Sequence, residues 1–80
     1  MNNAEFLELF REQFDETSPN DIDLETSFKE LPEWSSMVAL TVIAMVDDKY
    51  KVKLTGDDIR NATTVDDLFN VVKGKVKASL

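Results

Sequence analysis

Histidine and cysteine are both absent from this chain of 80 residues. Without them thiolate nucleophiles, Ser-His-Asp triads, His-bound metals and disulfides are all excluded. Positive charge is scarce as well: 9 basic residues stand against 16 acidic ones, a net of −7. That balance opposes sequence-independent attraction to nucleic acid phosphates and to anionic lipid surfaces. Long hydrophobic runs are missing too. The longest, Met37 to Val46, is interrupted by Thr41 and is about half of what a membrane span needs. The first residues, Met1-Asn2-Asn3-Ala4-Glu5, have neither the positive start nor the apolar stretch of a signal peptide, so a cytoplasmic location is expected.

What is present fits one small folded domain spanning 1–80. Hydrophobic residues make up 42% and charged residues 31%, an ordinary balance for a globular chain. A domain this small without staples must be held by efficient packing, most simply of helices. Residues 4–17 read as the first helix, with Phe6, Leu7, Phe10 and Phe14 on one face. Ser18-Pro19-Asn20 is expected to end it. Both prolines, Pro19 and Pro32, lie in the stretch 18–35, which is therefore the long connection. Ile22, Leu24, Phe28, Leu31 and Trp34 recur through it and should pin it to the core as an ordered loop.

A second helix is expected from about Ser36 to Lys51, apolar nearly all round at its start and so buried on most of its circumference. Val52-Lys53-Leu54 alternates like a strand but has no partner strand, and reads as an extended connection anchored by Val52 and Leu54. Asp57–Asn61 suits one short helical turn after Thr55-Gly56. Thr63-Thr64-Val65-Asp66-Asp67 offers a Thr cap with an acid three residues on, opening a last helix whose stripe is Val65, Leu68, Phe69, Val72 and Val76. Gly74 should make the end of that helix fray. The expected fold is all-α, a small four-helix bundle of three longer helices and one short one.

Catalysis has little to work with. The acids lie mostly on the outer faces of amphipathic helices, and none sits in an apolar run that would split a pair of carboxylate pKa values. An enzyme is therefore not expected. Asp21-Ile22-Asp23-Leu24-Glu25 starts like a calcium loop, but Thr26 and Pro32 stand where an EF-hand needs Gly and Glu. No metal site is expected. The local feature that stands out is Leu31-Pro32-Glu33-Trp34-Ser35-Ser36-Met37, which puts two hydroxyls at the mouth of the second helix. Each could be a plain N-cap satisfying an orphan N–H. One could instead be a covalent attachment point, where helix N–H groups and dipole would favour a phosphodiester.

At this point the whole chain resembles the acyl carrier protein family over roughly residues 4–76. Ser35-Ser36-Met37 takes the place of the family's Asp-Ser-Leu motif, and the match runs on through Leu40, Ile43, Val46 and Tyr50 on the inner face, then Val52, Leu54 and Ala62-Thr63-Thr64-Val65. The resemblance implies 4'-phosphopantetheine, delivered from coenzyme A with Mg²⁺ by a phosphopantetheinyl transferase to Ser36. It implies acyl cargo held as a thioester and passed among acyl-activating, acyltransferase or ketosynthase-type enzymes. A specialised lipid, polyketide or polysaccharide-modification pathway is the expectation, and a monomer with no nucleic-acid partner and no membrane insertion. Partner contact is expected at Ser35, Met37, Val38, Thr41, Asp47 and Asp48. An acyl groove would draw on Met37, Phe28, Leu40, Met45, Leu68 and Phe69, although core packing is the favoured reading of those residues.

The departures are Ser35 for Asp, Met37 for Leu, and Glu33-Trp34 where the family commonly has Gly. Val38 and Thr41 replace the usual acids on the outer face of the second helix, which shifts recognition toward apolar contact. Two other readings stay open: an aminoacyl or D-alanyl carrier of the same fold, and a carrier-like interaction domain that is never modified.

Overall fold

The computed structural model describes residues 2–78. Four α-helices order the chain: α1 (Asn3–Arg11), α2 (Ser36–Tyr50), α3 (Gly56–Asn61) and α4 (Val65–Ala78). Two short 3₁₀ turns, Pro19–Asp21 and Phe28–Glu30, lie between α1 and α2. No strand forms among the described residues; one isolated bridge joins Ser27 to Thr64. Helix α4 packs against each of the other three, and its stripe of Val65, Leu68, Phe69 and Val72 is buried as the sequence predicts. The expected all-α bundle is the fold observed.

All seven aromatic side chains join one chain of ring contacts. Phe6 of α1 meets Tyr50 of α2 at 6.1 Å and Phe69 of α4 at 5.6 Å. Phe10 meets Phe28 edge-on at 5.5 Å, and Phe28 meets Trp34 edge-on at 5.0 Å. Such pairs add about 0.5–1.5 kcal/mol each beyond the area they bury. The contacts carry the core from the helices into the long connection. Ile22 and Phe28 are fully buried there, while Leu24, Leu31 and Trp34 pack against the core half-buried. The connection is ordered by this packing, as its recurring apolar residues indicate. Its backbone also docks on α4: the N–H groups of Val65 and Asp66 donate to the carbonyls of Thr26 and Leu24. Two first-turn donors that a helix leaves orphaned are thereby satisfied.

Helix α1 is shorter than the periodicity predicts. It stops at Arg11 instead of reaching residue 17, because Gln13 and Phe14 tighten into i→i−3 turns on Phe10 and Arg11. The next three N–H groups, of Asp15, Glu16 and Thr17, then donate to the Glu33 carboxylate rather than to helical carbonyls. Phe14 still reaches the core. Pro19 therefore follows a helix already ended by a side chain far along the chain.

Helix α2 also departs from expectation. Its buried face is Val42, Met45 and Val46, whereas Met37 is 74% exposed and Leu40 65% exposed. Leu40 lies two positions before Val42, and residues two apart on a helix point to nearly opposite sides. The apolar circumference of α2 is thus wider than the bundle covers, and Leu40 is not an inner-face residue.

The remaining elements follow local rules. Lys51 ends α2 in the left-handed conformation at φ 60°. Val52 and Leu54 are buried and anchor the extended link to α3. Thr55 and Asp58 form a reciprocal capping box at the start of α3, and Thr64 and Asp67 exchange bonds in the same way at the start of α4. Helix α4 continues through Gly74 to Ala78.

Candidate functional site

The site is built from the two serines upward. Ser35 is extended (φ −156°, ψ 173°) and caps α2, its Oγ accepting from the Val38 N–H at 3.3 Å. One of the two hydroxyls therefore has the structural task. Ser36, the first helical residue, is exposed, and no hydrogen bond engages its hydroxyl among the described residues. The remaining first-turn N–H groups of α2 have no carbonyl partner within the helix, which favours negative charge there. The first turn carries no acid. In a chain of net charge −7, the surroundings of Ser36 can thus accept an anion.

Upstream of the serines the chain is fastened by Glu33. Its Oε1 accepts from the Thr17 hydroxyl and N–H, each at 2.7 Å, and from the Glu16 N–H at 3.0 Å. Oε2 accepts from the Asp15 N–H at 2.7 Å. The Thr17 hydroxyl, then the backbone donors of Asp15, Thr17 and Glu16, hold the Glu33 pKa down to about 2 against the opposing effect of desolvation. Glu33 is consequently a fixed anion at any neutral pH. Trp34, the next residue, lies edge-on to Phe28 and 6.4 Å from Phe14.

Beside Ser36 lies an open groove of about 530 Å³ between α2 and α3. Trp34, Ala39, Leu40, Ile43 and Ile59 give it an apolar lining, with Ser35 and Ser36 included in its wall. Lys29 and Arg60 contribute the only charged side chains of the lining. The Lys29 ammonium donates to the Arg60 carbonyl at 2.7 Å, and the Arg60 guanidinium pairs with Asp57.

The residues expected to form an acyl groove separate on the structure. Leu40 lines this groove, whereas Phe28, Met45, Leu68 and Phe69 are buried in the core and Met37 faces outward. Core packing, the favoured reading, describes those four. Among the residues expected to meet partners, Ser35, Met37, Thr41 and Asp48 are exposed and Val38 and Asp47 are half-buried. Thr41 donates its hydroxyl to the Val38 carbonyl, and Asp47 is paired with Lys53 at 2.7 Å. Sequence reasoning missed Glu33 as an anchor, and Ile59, Lys29 and Arg60 as groove residues. The available signal was Glu33-Trp34 itself, an acid and a large ring directly before the serines.

The arrangement suits covalent tethering of an anionic arm more than a reaction of its own. Ser36 offers a free, exposed hydroxyl with helix N–H groups beside it and an apolar groove alongside, which fits a phosphodiester-linked arm with an apolar stretch. Comparison with protein families agrees with this geometry: the family described as the phosphopantetheine attachment site matches residues 4–72. Members of that family carry covalently attached 4'-phosphopantetheine. Among curated proteins none matches the chain significantly.

Proposed function

Since the chain belongs to the phosphopantetheine-attachment family of carrier domains, we propose that Ser36 is its attachment point and that the arm presents acyl cargo to partner enzymes. The observation that carries this reading is the division of labour between the two serines. Ser35 is occupied in capping α2, and Ser36 is exposed with its hydroxyl unengaged. In the modification the Ser36 Oγ would attack the pantetheine-side phosphorus of the coenzyme A pyrophosphate. The P–O bond to the other phosphate breaks, adenosine 3',5'-bisphosphate leaves with that electron pair, and the serine proton passes to a base on the transferase. The bound arm supplies a terminal thiol on which cargo is held as a thioester. The chain's own residues would do the rest: helix N–H groups at the start of α2 would favour the phosphodiester's charge, and Trp34, Leu40, Ile43 and Ile59 offer apolar surface along the groove.

No side chain of this chain is assigned a catalytic role, because transferase and acyl-handling partners bring the bases. Met37 and Leu40, exposed next to Ser36 with Thr41 beyond them, form the face that a partner would meet first. Recognition there rests on apolar contact more than on steering by acids, since Asp47 is paired with Lys53, Asp48 lies 3.8 Å from the Lys49 ammonium, and both acids stand near the far end of the helix from Ser36. The carrier acts as a monomer in the cytoplasm, in a specialised lipid, polyketide or polysaccharide-modification pathway.

Intact mass after incubation with coenzyme A, Mg²⁺ and a broad-specificity phosphopantetheinyl transferase tests the reading. Wild type and Ser35→Ala should gain one phosphopantetheine, and Ser36→Ala should gain none. Loss in Ser35→Ala with gain in Ser36→Ala moves the site by one residue. No gain in wild type, with a control carrier loaded alongside, favours the unmodified interaction domain.

A further inference from the structure

The first turn of α2 has no fully buried side chain of its own. Ser36 and Met37 are exposed, Val38 and Ala39 are half-buried, and the first fully buried side chain of α2 is Val42. Val38 and Ala39 reach the core only in part, so the helix's own side chains hold the direction of the Ser36 hydroxyl less firmly than they hold the middle of α2. On the other side of Ser35 the chain is tied down tightly. Four donors from residues 15–17 converge on the Glu33 carboxylate, and the Trp34 ring is set against Phe28 and Phe14. The Trp34 N–H also closes a turn on the Leu31 carbonyl at 2.9 Å. The N-cap Ser35 is two positions after Glu33, and Ser36 is three positions after it.

We propose that Glu33 is a positioning residue for the modification of Ser36, acting through Trp34 and the Ser35 cap, an inference that rests on Ser36 being the attachment point. The connection is ordered as far as Phe28, but residues 29–35, which deliver Ser35 to the helix, include no fully buried side chain and without their tether would sample several entry angles. Pinning this segment next to the cap keeps Ser35 extended, keeps its bond to the Val38 N–H, and holds the first turn wound with Ser36 facing outward. A nucleophile presented in one orientation reacts faster once bound, because the transferase need not wait for the loop to order. The effect should appear in kcat and not in KM, since Glu33 lies on the loop side and contributes nothing to the exposed apolar face.

The test uses the full apo chain with coenzyme A, Mg²⁺ and a broad-specificity phosphopantetheinyl transferase, at a temperature where each variant is folded by circular dichroism. Glu33→Ala should lower kcat about tenfold with KM near that of wild type, and hydrogen exchange at the Val38 amide should speed up. Glu33→Gln should stay within about threefold of wild type, because an amide oxygen can still accept from Glu16 and Thr17. Thr17→Val removes one donor from the far end of the same cluster and should lower kcat and speed Val38 exchange, each by about twofold. A folded Glu33→Ala with unchanged kcat overturns the proposal. So does slower transfer with unaltered Val38 exchange, which would assign Glu33 to direct contact with the transferase. If Glu33→Ala does not fold, Thr17→Val decides, and wild-type values in both readouts overturn the idea. Wild type left unmodified beside a loaded control defeats the Ser36 reading instead, and Val38 exchange still reports whether Glu33 holds the cap.

Discussion

The chain on either side of Ser36 is treated in opposite ways. Before it, residues 14–35 are bound to the bundle by buried Phe14, Ile22 and Phe28, by the Glu33 carboxylate and by the Trp34 ring. After it, the outer face of α2 leaves Met37 and Leu40 largely in solvent. Core aromatics and charge-assisted hydrogen bonds are thus concentrated where the chain must be held still. Exposed apolar surface is concentrated where the proposed function places a partner enzyme. The difference teaches that holding and exposure are divided between adjacent segments; on the proposed function these are presentation and recognition, each open to change without the other.

The largest effect should come from breaking the fastened side at its centre. Phe28 is fully buried and bridges Phe10 to Trp34. Phe28→Ala should cost about 3–5 kcal/mol, read as a fall in unfolding midpoint in urea. A cost under about 1 kcal/mol would mean that the loop is not part of the core.

A smaller and more selective effect should follow acidification. The Glu33 carboxyl is held down from 4.5 to about 2, so the stability it contributes is complete above the unfolded value and is lost as pH falls through the folded one. Asp58 and Asp67, both lowered first of all by backbone N–H donors at their capping boxes, act in the same direction. Thermal midpoints should therefore drop between about pH 4.5 and pH 2, and Glu33→Gln should flatten part of that slope. Identical slopes in the two proteins would remove Glu33 as an anchor.

The smallest effect on stability should attend the free side. Leu40→Ser and Met37→Ser should change stability by no more than about 0.5 kcal/mol, since both side chains are already in water. The same pair should lower transferase kcat/KM at least threefold through KM. Unchanged kcat/KM would show that partners land elsewhere.

Much of the fastened side can be read from the sequence, because burial leaves a periodic trace. Ile22, Phe28 and Trp34 announce an ordered connection by their spacing. Thr64 with Asp67 announces a helix start, and Val52 with Leu54 an anchored link. Three things escape this kind of reading. The end of α1 is set by Glu33, an acid more than fifteen positions away, and no local propensity encodes a bond of that range. Leu40 and Met37 look like core because hydrophobicity tells what can be buried, while the short α3 and the placement of α4 decide what is. Arg11 reads as one more solvated charge, yet its guanidinium donates to the Ile22 carbonyl at 2.8 Å and ties α1 to the connection. Of the candidate site, the pair of hydroxyls at the mouth of α2 is legible in the sequence and the family resemblance points to Ser36, but which serine caps the helix is not legible. Nor is the groove, because Ile59 and Arg60 reach it from a different helix.

The central claim is that the arm is attached to Ser36 and not to the capping Ser35. Fragmentation of the loaded wild-type chain by an electron-based method that preserves the phosphodiester, after tryptic release of the segment 30–49, tests it most directly. The account predicts that every fragment containing Ser36 carries the added phosphopantetheine mass and that fragments ending at Ser35 do not. Added mass on fragments ending at Ser35 would contradict it.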